Sequence, residues 1–144
     1  MIYYETELYH HGVKGQKWGV RRYQNKDGSL TKAGQKKLDK INKKYERYSQ
    51  YDKQKLSSAQ KNLNADNTDL ADLKKNGYNS KSYKSLYGNN DRQKQFLDHL
   101  IDSVKESREI NQYDIKEAKQ ALSRIENRRI SELSKYGLIK IKME

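Results

Sequence analysis

The sequence predicts a mainly α-helical protein, a long antiparallel helical hairpin of coiled-coil-like character behind a small N-terminal β-hairpin or turn element. Three observations support this fold class. The 144-residue chain is 33% hydrophobic and 35% charged, which suits helices with one narrow apolar seam better than a large buried core. It contains no proline, the residue that breaks helix interiors. Its apolar residues recur at spacings of three and four over two long stretches.

The beginning of the chain is predicted to be β. Residues 2–9 alternate and are rich in strand formers, and residues 18–23 form a second short run that can pair with them. Residues 25–29 predict a turn, because Asp-Gly supplies the positive φ that tight turns need. Two strands alone are marginal in water, so we expect this element to pack on the helices.

The first helix is predicted to begin after an N-cap at Thr31. The Asn- and Asp-rich residues 62–68 predict a break, followed by a short helical restart that Gly77 ends. Its seam is predicted to consist of Leu38, Ile41, Tyr45, Tyr48, Leu56, Ala59 and Leu63.

The second long helix is predicted over residues 91–136, after a connecting loop at residues 77–90. Its seam is weak between residues 105 and 114, where a phase slip is expected. Gly137 is a suitable residue to end it, and residues 138–142 alternate like a short strand. The predicted seam residues are Phe96, Leu97, Leu100, Ile101, Val104, Ile110, Ile115, Ala118, Leu122, Ile125, Ile130 and Leu133.

Charge divides the chain into a basic docking element, residues 1–37, and a helical hairpin, residues 38–144. The net charge is +12, from 31 Lys and Arg against 19 Asp and Glu, and residues 1–37 hold eight basic and three acidic groups. Such a surface attracts nucleic acid or anionic protein faces. For the lysine-rich stretch that follows on the first helix, a solvated coiled-coil face is the prediction, because Asp39 and Glu46 are interspersed, and contact with DNA is the alternative.

Several classes of function are excluded or disfavoured. The chain has no cysteine, so disulfides, thiolate zinc sites and cysteine nucleophiles are excluded. No signal peptide and no run of eighteen apolar residues is present, so we expect a soluble protein with no membrane partner. His10 and His11 would point to opposite faces of a strand, and Asp66, Asp69 and Asp72 lack calcium-loop spacing. We expect no enzyme, no metal and no cofactor.

One segment is recognisable. Residues 11–34, HGVKGQKWGVRRYQNKDGSLTKAG, resemble a segment of many tailed-phage and prophage proteins of Gram-positive bacteria, where it is often attached to minor head or head-morphogenesis proteins. The resemblance covers about residues 9–37, and family versions often have proline near Lys26 and Lys32. It implies a phage origin, a place in the host bacterial cytoplasm or the virion, and a portable docking or targeting element.

The chemistry of this segment suits docking, because cations alternate with aromatic rings within ten residues. The predicted partner-binding residues are Lys14, Lys17, Trp18, Arg21, Arg22 and Tyr23. The alternative is that Trp18 and Val20 merely attach the hairpin to the helices. A second contact is predicted in the connecting loop, from Tyr78, Lys81, Tyr83, Lys84 and Tyr87.

Two functional hypotheses remain open. The first is a non-enzymatic virion or head-assembly protein that docks on a capsid or portal component, or on packaged DNA. The second is a small phage anti-defence inhibitor, of the anti-CRISPR kind, that binds a host nuclease complex. A DNA-binding regulator is a third, although no helix-turn-helix spacing is evident. The helical seam can equally be completed by a second copy of the chain, giving a homo-oligomer.

Overall fold

A computed structural model of the chain describes residues 22–25, 27–89 and 92–139, and these are mainly helical, as predicted. The elements are helix α1 (Lys32–Asn76), a 3-10 turn (Gly77–Asn79), helix α2 (Lys81–Tyr87) and helix α3 (Lys94–Lys135). Of the predicted strands at residues 2–9 and 18–23, residues 2–9 and 18–21 lie outside the described residues, as do residues 140–142 of the tail. Arg22 and Tyr23 are described and form a turn, so the end of the second predicted strand is wrong. Over the described ranges, no helix is long and apolar enough to cross a membrane.

Both ends of α1 are where local chemistry predicts them. Thr31 precedes the helix, and its hydroxyl accepts the N–H of Gly34 at 3.0 Å, which satisfies a donor that has no partner within the helix. The helix ends at Asn76, and Gly77 follows with φ at +51°. Because α1 begins at Lys32, the last residues of the predicted docking element 1–37 are already helical.

The break predicted over residues 62–68 is wrong, because α1 continues through it. The carboxylate of Asp66 accepts hydrogen bonds from Asn111 at 2.7 Å and from Ser107 at 3.1 Å. Thr68 donates to the carbonyl of Asn64, one turn back, at 2.9 Å. These polar groups therefore bond within the helix or to α3, and they leave the helical backbone of α1 intact.

The end of α3 has the geometry that a glycine at residue 137 predicts. Gly137 has φ at +62°, and its N–H donates to the carbonyl of Ser134 at 2.9 Å. The N–H of Leu138 donates to the carbonyl of Leu133 at 3.0 Å, which completes a Schellman motif. Leu138 is buried against Leu133, so the start of the predicted strand-like tail is a bend packed on the helix.

The described residues divide into two compact units, and α1 and α3 contribute to both. The central unit is Asp52–Ala121. Within it α1 and α3 are antiparallel, since Lys55 pairs with Glu117 while Asp66, further along α1, bonds to Ser107. Its core is a cluster of aromatic and aliphatic side chains, in which Leu73, Tyr83 and Leu100 are buried against Tyr78, Tyr87, Phe96, Leu97, Ile101 and Val104.

The terminal unit takes in the described residues up to Tyr51 and from Leu122 onward. Ile41 and Leu133 are its most buried side chains, at 2% and 1% exposed. The buried members of its core are Ile41, Tyr45, Leu133 and Leu138, and the half-buried ones are Tyr23, Leu30, Leu38, Ile125, Tyr136 and Ile139. This core joins the residues before α1 to both helices.

Two predicted seam positions are wrong. Tyr48 is 58% exposed while its neighbour Ser49 is buried, and Ile110 is 63% exposed while its neighbour Asn111 is buried. Along α3 the inward positions keep alternating by three and four through residues 104, 107, 111, 114 and 118, so the expected phase slip does not occur. The seam is regular, and polar residues fill its middle.

The predicted connecting loop contains the 3-10 turn and α2. The hydroxyl of Ser80 accepts the N–H of Tyr83 at 3.2 Å and caps α2. The carboxylate of Asp72 accepts the N–H of Lys81 at 2.7 Å and a side-chain N–H of Asn76, and these bonds lower the pKa of Asp72. The connection is therefore folded onto the central unit.

Candidate functional site

The segment directly before α1 folds back on itself, and its described residues, 22–25 and 27–31, are called the clasp below. Gln24 and Leu30 form an isolated antiparallel bridge across it. Leu30 packs on the core of the terminal unit, and Gln24 is 6% exposed. This half of residues 11–34, which are called the phage-like segment for their resemblance alone, is thus a packed structural element.

The predicted turn is confirmed for the described residues of the clasp. The N–H of Asn25 donates to the carbonyl of Ser29 at 2.8 Å, and the N–H of Gly28 donates to the carbonyl of Asn25 at 3.1 Å. Gly28 has φ at +87°, which explains the glycine. The carboxylate of Asp27 accepts the hydroxyl and the N–H of Ser29, and these bonds lower the pKa of Asp27.

Backbone contacts attach the clasp to the start of α1. The N–H of Thr31 donates to the carbonyl of Tyr23 at 3.0 Å, and its hydroxyl donates to the carbonyl of Arg22 at 2.9 Å. The carbonyl of Tyr23 lies against the backbone of Gly34, where a β-carbon would overlap with it. Gly34 of the phage-like segment therefore has a steric role, which is to let the clasp approach the helix.

Two further contacts attach the clasp to the end of α3. The side-chain amide of Gln24 donates to the carbonyl of Gly137. The ring of Tyr23 meets that of Tyr136 edge to face, with centroids 5.8 Å apart. The clasp thus bridges the beginning of one helix and the end of the other within the terminal unit.

The structure describes only part of the predicted docking set. Tyr23 is half-buried in the contact with Tyr136, so its ring serves the fold, while Arg22 is exposed. The remaining predicted partner-binding residues, Lys14, Lys17, Trp18 and Arg21, lie outside the described residues.

Beside the clasp, α1 has a line of exposed cations. Lys36, Lys40, Lys43 and Arg47 follow one another at spacings of four, three and four, which places them within an arc of about 60° on the helix surface. The acidic residues of the same stretch are displaced to one flank of this line. The full set, called the cationic face below, consists of Lys36, Lys40, Lys43, Lys44 and Arg47 on α1 with Arg128 and Lys135 on α3.

A groove of about 390 Å³ lies between α1 and α3 beside Lys44. Lys44 forms an ion pair with Glu132 at 2.7 Å, and the ammonium of Lys37 lies 4.1 Å from the ring centre of Tyr136. Arg128 and Lys135 have no ion pair with any other described residue, which leaves their charges available to a ligand. The residues lining the groove are Lys44, Tyr45, Arg128, Ser131, Glu132, Lys135 and Tyr136.

Glu132 is the one carboxylate among the described residues that line this groove, and its neighbours bind it. Hydrogen bonds from Lys44 and from the hydroxyl of Tyr45, the latter at 2.8 Å, lower the pKa of Glu132. The same bond to Glu132 raises the pKa of Lys44, while burial is the main cause that raises the pKa of Tyr45. Glu132 stays charged and Tyr45 stays protonated at neutral pH, so neither is a poised acid or base.

Positive charge is concentrated in the terminal unit. Its described residues contain twelve Lys and Arg against five Asp and Glu, whereas those of the central unit contain thirteen against ten. In the central unit, Lys55 is bound by two carboxylates, Glu117 and Asp114 at 3.0 Å, and these contacts raise its pKa. The excess charge that can attract an anionic partner is therefore mostly that of the terminal unit.

Two aromatic rings flank the cationic face. Tyr48 is 58% exposed and Tyr51 is 71% exposed, and they lie three residues apart on α1. The ring of Tyr48 rests edge to face on Tyr45, with centroids 5.7 Å apart. The sequence predicts Tyr45 and Tyr48 as seam residues, whereas the structure buries Tyr45 and leaves Tyr48 and Tyr51 in solvent.

The second predicted contact, in the connection, is divided between core and surface. Tyr83 is fully buried, so its ring cannot meet a partner. Tyr78 and Tyr87 are half-buried against it, and Tyr87 also stacks on Phe96 with centroids 4.9 Å apart. Of the five predicted residues, only Lys81 and Lys84 are fully exposed.

No metal centre is found in the part of the chain that the structure describes. No three His, Asp or Glu side chains cluster there in a way that could hold an ion. Asp66 and Asp72 instead bond to Asn111 and Lys81, on different elements.

Comparison with known proteins adds little to this geometry. A family model described as "Family of unknown function (DUF7211)" matches residues 1–25. This match covers the start of the phage-like segment and the first part of the clasp, and it assigns no activity. No curated protein and no solved structure matches the chain.

Proposed function

We propose that this chain is a non-enzymatic tailed-phage protein, associated with the head as a structural or assembly component. It docks on a capsid or portal component through its basic N-terminal segment. It acts in the host bacterial cytoplasm during assembly and is retained in the virion. The proposal joins the phage-like segment of residues 11–34 to the way in which the second half of that segment is folded.

The observation that supports docking is the clasp. Its turn, its bridge and its close approach at Gly34 attach the segment to both helices of the terminal unit. Residues 1–21 are joined covalently to Arg22, so a contact made by them is tethered to that unit. A portable docking element needs such an attachment, because a tether without fixed geometry transmits no orientation to the rest of the chain.

The docking chemistry is assigned to the first half of the segment. Residues 2–9 and 18–21 are proposed to form the small hairpin that the sequence predicts, with Trp18 as an aromatic anchor. Arginine and tryptophan are enriched at the centres of protein interfaces, where they supply much of the binding energy. The cations beside Trp18 are Lys14, Lys17, Arg21 and Arg22.

The test uses the full chain in a host whose prophage encodes it. Mass spectrometry of purified virions is expected to detect the wild-type chain in the particles. A variant with Lys17, Trp18, Arg21 and Arg22 all changed to Ala is expected to be lost from virions, with its helix content by circular dichroism unchanged. Retention of this variant in virions would show that the segment is not the interface.

The matched control removes three basic residues and one exposed aromatic from the central unit. Changing Lys61, Tyr113, Lys116 and Lys119 to Ala removes a similar amount of charge and surface. This variant is expected to enter virions normally. If both variants were lost from virions, the loss would not be specific to the docking segment, and the docking proposal would be contradicted.

Mass spectrometry of purified virions also distinguishes the head-assembly proposal from the anti-defence alternative. An inhibitor of a host nuclease complex is expected early in infection and absent from particles. A DNA-mimicking inhibitor would present acidic surface, whereas the described residues of the terminal unit have a large basic excess. Absence of the wild-type chain from virions, together with early expression, would replace the head-assembly proposal with the anti-defence one.

A further inference from the structure

We propose that the cationic face and the two tyrosines beside it bind single-stranded nucleic acid. This inference goes beyond the docking proposal, because the surface lies on α1 and α3 and not on residues 14–21. Three features support it: the separation of charge around α1, the exposed aromatic rings, and the pairing of the groove carboxylate Glu132 with Lys44 and Tyr45.

Charge is separated around α1 in the terminal unit. Lys36, Lys40, Lys43 and Arg47 form one line, about 16 Å long at 1.5 Å per residue. Asp39 and Glu46 lie seven residues apart on one flank of that line, and Tyr48 lies on the other. A solvated helix face that merely keeps a protein soluble mixes its charges, whereas a face that follows a phosphate backbone keeps one sign.

The groove between α1 and α3 adds further positive charge beside Lys44. Arg128 and Lys135, seven residues apart on α3, line the groove together with Lys44. Among the described residues, Glu132 is the one carboxylate that lines it, and it is already paired with Lys44 and bonded to Tyr45. The groove therefore keeps a net positive charge, and guanidinium and ammonium groups on both sides can contact successive phosphates.

The two exposed tyrosines are the reason that we propose a single-stranded nucleic acid and not a duplex as the ligand. Tyr48 and Tyr51 expose 58% and 71% of their surface, far more than a flank residue of a helical seam needs. The edge contact with Tyr45 holds the ring of Tyr48 in one orientation. Exposed rings beside a basic line are the arrangement on which unpaired bases stack, and a duplex offers no free base faces.

Binding is measured by fluorescence anisotropy of the purified full chain with a labelled 20-nucleotide oligothymidylate, over a series of salt concentrations. A 20-nucleotide oligouridylate, a 20-base-pair duplex and polyglutamate serve as competitors. We expect both single strands to compete well, the duplex to compete about tenfold less well, and polyglutamate to compete poorly. Affinity should fall steeply with salt, as counterion release requires.

Two variants separate the roles of charge and stacking. Lys40→Glu with Lys43→Glu should reduce affinity at least tenfold and reduce the slope of log affinity against log salt by about 1.4, since each single-strand phosphate contact contributes about 0.7. Tyr48→Ala with Tyr51→Ala should reduce affinity at least tenfold with the slope unchanged. Their matched controls are Lys61→Glu with Lys116→Glu, and Tyr113→Ala, all exposed residues of the central unit.

The proposal is overturned by any of three results. If binding of the oligothymidylate is undetectable, nucleic acid is excluded as the ligand of the cationic face. Equal competition by the duplex, with no effect of the tyrosine variant, shows a plain phosphate surface without stacking. Equal competition by polyglutamate shows a surface for acidic proteins. Because the measurement contains no virion component, failure of the docking proposal leaves its result unchanged.

Discussion

Gly34 is the residue at which the clasp depends on a single missing side chain. The carbonyl of Tyr23 approaches the backbone of α1 there, so a β-carbon would overlap with backbone atoms that cannot rotate away. Gly34→Ala is therefore expected to destabilise the chain by about 1–3 kcal/mol through overpacking, offset by about 1 kcal/mol of gained helix propensity. Urea denaturation followed by circular dichroism measures the net change.

Hydrogen exchange locates the effect of Gly34→Ala. The amides of Asn25 and Thr31 donate to carbonyls within the clasp, so their protection should fall in the variant. Gln35→Ala, one position along on the exposed surface of α1, is the control and should leave that protection unchanged. Full protection of Asn25 and Thr31 in Gly34→Ala would mean that the close approach is not needed to hold the clasp.

At the scale of the elements, the helix pair of the central unit has a polar layer where the sequence predicted an apolar stripe. Asn111 is 8% exposed and donates to the carboxylate of Asp66, while Ile110 beside it is 63% exposed. Asn111→Leu should destabilise the chain by about 1–3 kcal/mol, because Asp66 loses a partner in a half-buried position. The more apolar residue is thus expected to weaken the seam.

A substitution of the neighbouring residue, Ile110, provides the control for this prediction. Ile110→Ser removes an apolar side chain from solvent and should change stability by less than about 0.5 kcal/mol. Thermal denaturation of both variants gives the comparison. If Ile110→Ser were the more destabilising of the two, Ile110 would belong to the seam and the phase slip would be real.

The same layer shows which parts of the fold the sequence predicts. The beginning of α1 at Thr31 and its end at Gly77 follow from local chemistry, a hydroxyl cap and a positive φ, and both are confirmed. The positions of Tyr48 and Ile110 depend on which face of one helix meets the other. That choice is made by long-range contacts, such as Asp66 to Asn111, which periodicity alone does not contain.

The candidate site, like the fold, could be predicted only in part from the sequence. The basic line on α1 is visible in the sequence as recurring lysines. Arg128, Lys135 and Tyr136 are about ninety residues further along, and only the packing of α3 on α1 brings them to the groove beside Lys44. The burial of Tyr83 also required the fold, since a tyrosine among Gly, Asn and Ser residues is typical of an exposed loop.

At the scale of the whole molecule, each unit has a hydrophobic core of its own. Ile41 and Leu133 are buried in the terminal unit, and Leu73 and Tyr83 are buried in the central unit. Between these clusters in sequence, the inward residues of α1 include Leu56 and Ala59, but Ser49, Asp52 and Asp66 interrupt the hydrophobic burial. A helix that continues from one hydrophobic core to another through such polar positions is expected to unfold locally, in one unit at a time.

Truncation of each core tests this independence. Leu133→Ala and Leu73→Ala each remove a side chain that is 1% exposed, and each should destabilise its unit by about 2–5 kcal/mol. In hydrogen exchange followed by mass spectrometry, Leu133→Ala should lower protection mainly in residues 22–51 and 122–139. Leu73→Ala should lower it mainly in residues 52–121. A uniform loss over all described residues in both variants would instead mean that the two cores unfold as one cooperative structure, since local opening confines the effect of a mutation to the unit that contains it.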